Sequence, residues 1–220
     1  MHYLGLALYA EGPRDYSFLP PLLLRLCESL CTHATQSVEI GSFIGLNHSR
    51  TAAGASRAAR IADAAEKAKE AWNILFVHAD ADGDAEAALR ERVMPGIDSV
   101  KAAGWQRAEG VAVVPVRVTE AWALADGDAL RSVFGTTLVD AELGLNVRGA
   151  ALERLTDPKR MLDDILAAAH GGRRRPRLNV GSYLNLLGEQ VALDRLKELP
   201  SFARVHRELG AALQRLNILR

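Results

Sequence analysis

The sequence predicts an α/β protein with a mainly parallel sheet flanked by helices, followed by a helical C-terminal part. Two observations support this. Short apolar runs alternate with helix-like segments up to about residue 135, which is the pattern of parallel strands covered on both faces. No strand-like run follows that point. We therefore expect an α/β unit in residues 1–135 and a helical part, packed on it, in residues 136–220.

Four apolar runs are the predicted strands, at residues 3–10, 37–46, 73–79 and 111–118. The first ends at Glu11-Gly-Pro, as a buried strand does when it enters a loop. The third is the clearest, because it leads directly into the acidic run Asp80-Ala-Asp-Gly-Asp84. Two of the predicted strands are therefore followed directly by carboxylates.

The predicted helices cover residues 18–30, 55–72, 84–103 and a segment starting at 119, then 158–169, 183–199 and 202–216. Asp15 can cap the first of them. Pro20 and Pro21 fit this helix only if it begins near them. Pro95 predicts a break or kink in the helix at 84–103.

Charge and cysteine content restrict the function classes. The 27 basic and 27 acidic residues cancel, so overall charge predicts neither nucleic-acid nor membrane binding, and any polyanion site must be local.

Cys27 and Cys31, four residues apart in a leucine-rich helix, favour buried thiols over a disulfide or metal pair. The first residues indicate a strand and not a signal peptide, and no apolar run approaches a membrane span. We expect a cytoplasmic protein that makes no membrane contact.

The carboxylates at the strand ends are the main functional signal. If the first and third strands are neighbours in a parallel sheet, Glu11, Asp80 and Asp82 meet at the carboxyl edge, where open α/β sheets bind ligands. Clustered carboxylates suit Mg²⁺ (or Mn²⁺), which can polarise a phosphodiester. Asp84 and Glu120 are further candidate ligands, because Asp84 extends the acidic run and Glu120 follows the fourth strand.

Other interpretations of the acidic residues remain open. Acids at helix starts often only cap the helix, and for Asp84 capping is the favoured interpretation. Asp80, Asp82, Asp84 and Glu91 match four acidic positions of an EF-hand calcium loop, but a strand precedes them and Ala85 stands where that loop needs glycine. A haloacid-dehalogenase-like phosphatase is disfavoured, since its Asp-x-Asp usually follows the first strand.

Basic side chains and histidines supply candidate phosphate contacts. His48 and Arg50 lie in a polar loop after the second strand, and a basic loop holds Arg173, Arg174, Arg175 and Arg177. Arginines there can neutralise nucleic-acid phosphates, although a solvated loop explains both segments as well. His78, inside the third strand, can orient a carboxylate; a structural histidine is the favoured alternative.

Several motifs together resemble a known domain family. Glu11-Gly-Pro-Arg-Asp15 with Phe18-Leu19, and the later Phe76-Val-His-Ala-Asp-Ala-Asp82, resemble the TOPRIM domains of topoisomerases, primases and overcoming-lysogenization-defect nucleases, which carry a Glu after the first strand and an Asp-x-Asp after a later one. With Val114-Pro-Val-Arg-Val-Thr-Glu-Ala-Trp-Ala-Leu-Ala-Asp126, Asp157-Pro-Lys159 and Pro200-Ser-Phe202, nearly the whole chain resembles a TOPRIM-like bacterial family, domain-of-unknown-function family 4276.

The resemblance implies a nuclease or nickase that cleaves nucleic-acid phosphodiesters, with DNA favoured over RNA. It implies that Glu11 is a general acid/base or metal ligand, that Asp80 and Asp82 hold Mg²⁺, and that Glu120 supports the site. No tyrosine is placed as a topoisomerase nucleophile, and no zinc or helicase module accompanies the motifs. By analogy, the resemblance also implies anti-phage defence with an ATPase partner.

A non-enzymatic alternative is a catalytically silent TOPRIM-like scaffold. It would bind a partner, such as an ATPase or a second copy of the chain in a homo-oligomer, through the helical C-terminal half. Leu209, Leu213 and Leu216 share one face of the last predicted helix, and such a face can form an interface as readily as a core.

Overall fold

The computed structural model describes residues 1–47, 54–171 and 179–220 and confirms the α/β prediction. Its sheet has four strands, β1 (His2–Tyr9), β2 (Val38–Gly45), β3 (Ile74–His78) and β4 (Glu109–Val113). The spatial order is β2-β1-β3-β4, and every neighbouring pair is parallel. The first and third strands are therefore direct neighbours, as the metal-site hypothesis requires.

Helices follow each strand and make up the C-terminal part. They are α1 (Pro13–Cys31), α2 (Arg57–Lys67), α3 (Ala85–Ala87), α4 (Met94–Ala102), α5 (Glu120–Ala123), α6 (Gly127–Phe134), α7 (Pro158–Ala169), α8 (Leu184–Gln190), α9 (Leu193–Lys197) and α10 (Pro200–Arg215). A π-helical segment, Ala88–Val93, joins α3 to α4, and Gly149–Arg154 and Val180–Ser182 are 3-10 turns. After β4 the described residues hold no further strand. Among them no helix combines the length and apolarity that crossing a membrane demands.

Two hydrophobic clusters cover the two faces of the sheet, because side chains alternate along each strand. In β1, Leu4 and Leu6 belong to the larger cluster, which also contains α1 and the C-terminal helices, whereas Ala7 belongs to the smaller cluster with α2 and α4. The larger cluster includes Trp122 of α5 and Phe202 of α10, whose rings meet edge to face at 5.2 Å. The C-terminal helices thus share a core with the sheet.

Helix α10 covers the outer edge of β4. The backbone amide of Ala112 donates to Glu208 Oε2 at 3.0 Å, and Arg215 Nε donates to Glu109 Oε2 at 2.8 Å. An unpaired strand edge invites association with other chains, so this helix closes one side of the sheet. The leucine face proposed as a partner surface, which includes Leu209 and Leu213, is buried in the larger cluster. The observation that motivated the scaffold alternative is therefore explained by packing within the chain.

Two predicted boundaries were wrong for reasons of backbone chemistry. The predicted strand at 111–118 ends at Val113, since Pro115 lacks the amide that a continuing ladder needs. The predicted helix at 183–199 is divided into α8 and α9 at Val191 and Ala192, where the Ala192 amide donates to Asp126 Oδ2 at 2.9 Å.

The expected start of the first helix was also wrong. Helix α1 begins at Pro13 and continues through Pro20 and Pro21, although an internal proline costs about 3 kcal/mol. The buried face of α1, which includes Phe18 and Leu22, offsets this cost because each such side chain contributes about 1.5–3 kcal/mol when buried. Packing against the sheet and α8 therefore keeps the helix continuous.

The prediction of buried thiols was confirmed for Cys27. Cys27 and Cys31 both lie in α1 as free thiols, but Cys27 is fully buried whereas Cys31 is only partly buried. Burial raises the pKa of the Cys27 thiol well above its usual value, which keeps it protonated and unreactive.

The contact of α1 with α8 depends on a glycine. A Cβ on Gly188 would lie 2.4 Å from the carbonyl oxygen of Phe18 and 2.8 Å from Pro21 Cγ. We expect Gly188→Ala to lower the free energy of unfolding by about 1–3 kcal/mol in urea denaturation, because backbone must shift to accept the methyl group.

Gly210 provides the matched control for that substitution. It lies in α10, and a Cβ there would meet nothing within 4 Å. Gly210→Ala should therefore raise the free energy of unfolding by up to about 1 kcal/mol through helix propensity. Equal effects of the two substitutions would contradict the close approach of α8 to α1.

Candidate metal centre

The pairing of β1 with β3 brings acidic residues together at the carboxyl edge of the sheet. Tyr9 is in register with Val77, so the chain leaves both strands at the same level. Glu11 follows β1 and Asp80 follows β3, and the Asp80 backbone amide donates a long hydrogen bond to Glu11 Oε2 at 3.4 Å. The predicted meeting of these two residues is present.

A buried group of three residues at this edge could hold a metal ion. Asp15, His78 and Asp80 each offer one ligand atom, and these atoms lie within 4.8 Å of one another. His78 Nε2 is 3.3 Å from Asp80 Oδ1, and His78 Nδ1 is 3.6 Å from Asp15 Oδ2. Over residues 1–47, 54–171 and 179–220, it is the one such group of His, Cys, Asp or Glu side chains.

The imidazole of His78 is the unsatisfied centre of this group. Its side chain has no solvent exposure. Within the described part of the chain, neither ring nitrogen has a hydrogen-bond partner of good geometry, and the same holds for the buried Asp80 Oδ1. Buried polar atoms without partners are rare because each costs about 1–3 kcal/mol. A cation between His78 and Asp80 would satisfy both atoms, so the donor set fits a metal.

Asp15 is held in place by its own hydrogen bonds. Its Oδ1 accepts from the Thr119 hydroxyl at 3.0 Å, and its Oδ2 accepts from the Gly12 amide at 3.0 Å. The Gly12 contact belongs to the capping of α1, in which Gly12 is the N-cap residue and Asp15, in the first turn, accepts from its amide; Asp15 therefore takes part in capping but does not precede the helix as expected. The same carboxylate lies 3.6 Å from His78 Nδ1, beyond hydrogen-bond distance, on the side from which a carboxylate can fix a metal-binding histidine.

Arg57 of α2 connects the elements around the centre. Its guanidinium donates to the carbonyl of His78 at 2.6 Å and to the carbonyl of Arg92 at 2.9 Å, and its NH1 lies 3.1 Å from Glu11 Oε1. The same group lies over the Tyr9 ring, 5.6 Å from the centroid. Arg57 therefore fixes the ends of β1, β3 and the π-helical segment relative to one another.

Three further cations border the carboxylates. Arg92, in the π-helical segment, donates to the carbonyl of Asp80. Lys159 Nζ, from the second residue of α7, lies 3.9 Å from Asp80 Oδ2. Arg14 is 3.2 Å from Glu120 Oε1. Since Lys159 belongs to the helical C-terminal part, both parts of the chain contribute to this edge.

The remaining predicted ligands lie outside the buried group. Glu120 is buried and paired with Arg14. Asp82 has a left-handed backbone, with φ of 52°, and its side chain is 77% exposed. Asp84 accepts from the Ala87 amide at 2.9 Å and caps α3, as the capping interpretation expected. The EF-hand interpretation is wrong, because β3 and not a helix precedes the acidic run.

The residues predicted to contact nucleic-acid phosphates cannot be compared with this site. His48 and Arg50, and the loop arginines Arg173, Arg174, Arg175 and Arg177, lie outside the described residues. Their assignment to nucleic-acid binding stays a prediction from sequence.

Sequence reasoning missed most of the residues that surround Asp80. Asp15 was expected only to cap α1, although its position in the first turn after Glu11 puts it at the same sheet edge. Arg57 and Arg92 lie in helices with many charged residues, and nothing in their spacing separates them from surface arginines. For Lys159, the motif Asp157-Pro-Lys159 was the available signal.

No family model, curated protein or solved structure matches the chain. The site must therefore be interpreted from its own geometry.

The three contacts of Arg57 predict a structural cost when it is removed. We expect Arg57→Ala to lower the free energy of unfolding by about 2–4 kcal/mol, because two backbone carbonyls and Glu11 lose a charged donor. Arg57→Lys should recover less than half, since an ammonium group cannot reproduce the planar fork. Urea denaturation measures both.

Arg160 of α7 is the control for Arg57. Its side chain is 74% exposed and faces Asp164 at 3.7 Å. Arg160→Ala should change the free energy of unfolding by no more than about 0.5 kcal/mol. A comparable loss in both variants would mean that Arg57 is an ordinary surface arginine.

Proposed function

We propose that the chain is a metal-dependent phosphodiesterase, a nuclease or nickase acting on nucleic acid, whose metal is held by His78 and Asp80. The observation that carries this proposal is the fully buried His78, whose Nε2 lies 3.3 Å from Asp80 Oδ1 while neither atom has a hydrogen-bond partner among the described residues. A structural ion pair would place an imidazolium between Asp15 and Asp80. The location of the group at the carboxyl edge of a parallel sheet, beside exposed cations, favours ligand binding instead.

The mixed donor set bears on the identity of the metal. Carboxylate oxygens suit Mg²⁺ and Mn²⁺, whereas imidazole nitrogen favours transition ions. We therefore propose Mn²⁺ or Mg²⁺ as the cofactor, with Mn²⁺ bound more tightly. Asp15 orients the imidazole through Nδ1 and leaves Nε2 to the metal.

The surrounding residues supply what phosphodiester hydrolysis needs. When bound, a divalent ion stabilises the negative charge that develops on the phosphate oxygens. Glu11, whose side chain is 28% exposed, is positioned to accept a proton from water as the water oxygen bonds to phosphorus. The bond from phosphorus to the leaving sugar oxygen breaks, and solvent returns a proton to that oxygen. Lys159 and Arg14, at 47% and 41% exposure, can neutralise flanking phosphates.

Space for a substrate lies beside Glu11. An open pocket of about 540 Å³ is lined by residues that include Tyr9, Glu11, Tyr16, Arg57 and Arg60. Its walls combine aromatic and guanidinium groups, a combination that suits a nucleotide, because bases stack on rings and phosphates attract arginine. Burial raises the pKa of Tyr16, so its hydroxyl stays neutral and keeps its hydrogen bond to the Leu46 carbonyl.

The resemblance to TOPRIM nucleases supports the same activity through Glu11 and Asp80. The resemblance assigns Asp82 a metal-holding role. In this proposal Asp82 is an exposed carboxylate outside the buried group and is not a main ligand of the metal. An ATPase partner, a role in anti-phage defence, a cytoplasmic location and a homo-oligomeric state are further parts of the proposal that rest on sequence alone.

Nicking of a supercoiled plasmid tests the activity. Purified protein with Mn²⁺ or Mg²⁺ should convert supercoiled to open-circular DNA, and EDTA should stop the reaction. Asp80→Asn should reduce the rate at least about 100-fold, because a central ligand is lost, while Asp84→Asn, which can still cap α3, should keep it. Cleavage that survives in Asp80→Asn would sink the proposal; parallel assays on labelled RNA decide between DNA and RNA.

Calorimetric titration tests the metal separately from activity. The chain should bind Mn²⁺ more tightly than Mg²⁺, and Asp15→Asn should weaken Mn²⁺ binding about 10–100-fold, since the carboxylate that fixes His78 is removed. Asp84→Asn again serves as the control, with unchanged affinity. Full Mn²⁺ affinity in Asp15→Asn would show that Asp15 does not position the imidazole.

A further inference from the structure

Arg92 occupies an unusual position between two carboxylates. Its NH1 lies 3.7 Å from Glu11 Oε1 and 3.9 Å from Asp82 Oδ2. Both distances exceed a hydrogen bond, so the charge is shared between the two acids without a firm bond to either. Among the residues that the structure describes, only its NH2 has a close contact, with the carbonyl of Asp80. The guanidinium therefore lies among the groups that the proposed function assigns to the metal and its water.

Arg57 is held very differently. It makes hydrogen bonds to two backbone carbonyls and a close ion pair to Glu11, and its side chain is only 20% exposed. Arg92 is 33% exposed and has one backbone contact. Of these two arginines at Glu11, Arg92 is thus the one that can leave without breaking the connections between β1, β3 and the helices.

The backbone around Arg92 is also specialised. The residue lies near the end of the π-helical segment Ala88–Val93, and its own carbonyl accepts from Arg57 Nε. Wider π turns are uncommon and frequently occur at functional sites. The backbone of Arg92 is thereby fixed by Arg57 while its side chain extends towards Glu11 and Asp82.

We infer that Arg92 is an exchangeable counter-cation, which neutralises Glu11 and Asp82 while the metal is absent and is released to bind a substrate phosphate when a divalent ion arrives. This inference rests on the proposed function. Like charges repel in a partly exposed site, so a guanidinium beside Glu11 and Asp82 opposes the arrival of a divalent ion at the neighbouring centre. Guanidinium released beside the metal is a bidentate donor suited to phosphate. Metal binding then precedes and prepares the binding of the anion.

The inference predicts opposite effects on metal and phosphate binding when Arg92 is neutralised. In calorimetric titration, Arg92→Gln should bind Mn²⁺ about tenfold more tightly than the wild-type chain, because a competing unit charge is gone. Inorganic phosphate, titrated into the Mn²⁺-saturated protein, should bind about tenfold more weakly to Arg92→Gln. A residue that only braces the Asp80 carbonyl would weaken metal binding instead.

Arg90 supplies the matched control in the same π-helical segment. It pairs with Glu91 at 2.7 Å, away from the centre, with a side chain that is 69% exposed. Arg90→Gln should leave both affinities unchanged, which excludes a general effect of lost charge. Arg92→Lys, which keeps the charge, should bind Mn²⁺ as the wild type does and remains available if Arg92→Gln fails to fold.

The outcomes separate this inference from the proposed function. Wild-type protein that binds no Mn²⁺ would overturn the proposed metal centre itself. If the wild-type protein binds Mn²⁺ but Arg92→Gln binds Mn²⁺ equally or more weakly, the counter-cation role alone is overturned. The same conclusion follows if Arg92→Lys also binds Mn²⁺ more tightly than the wild type.

Discussion

The parallel hydrogen-bonded pairing of β1 with β3 is the constraint on which the rest of the structure depends. It sets Tyr9 level with Val77, so that Glu11 and Asp80 leave the sheet at the same point. A one-residue slip would turn every side chain of β3 to the other face, moving His78 away from Asp15 of α1. The register is fixed by burial on both faces of the sheet, where the strand residues Leu6, Leu75 and Phe76 are fully buried.

Several carboxylates are partly or fully buried at the carboxyl edge of the sheet, and most of them are compensated by hydrogen-bond donors or cations of the same chain. Carboxylates removed from water are costly unless charges or donors compensate them. Asp15 accepts hydrogen bonds from a hydroxyl and an amide. Glu120 forms an ion pair with Arg14, and Glu11 forms one with Arg57. His78 and one oxygen of Asp80 have no hydrogen-bond partner within residues 1–47, 54–171 and 179–220. The places where compensation is incomplete are the places where an incoming ligand gains most.

Sequence predicted the fold class and the order of its elements, because strands and helices carry local periodicity. It also predicted that Glu11 and Asp80 meet, since that follows from strand ends in a parallel sheet. It did not predict that α1 runs through Pro20 and Pro21, because the compensating burial comes from distant helices. Nor did it predict the surroundings of Asp80: Arg57, Arg92 and Lys159 reach the site from three separate elements, and such contacts depend on tertiary packing.

The cover of β4 by α10 has a consequence for how the chain is made. All four strands are complete by residue 113, yet the helix that supplies Glu208 to the Ala112 amide ends at Arg215. Synthesis proceeds from the N-terminus, so about half of the chain is still to be added when β4 is complete. During that time the Ala112 amide at the outer edge of β4 lacks its partner Glu208. Over that interval the outer edge of β4 is open to pairing with any other exposed strand.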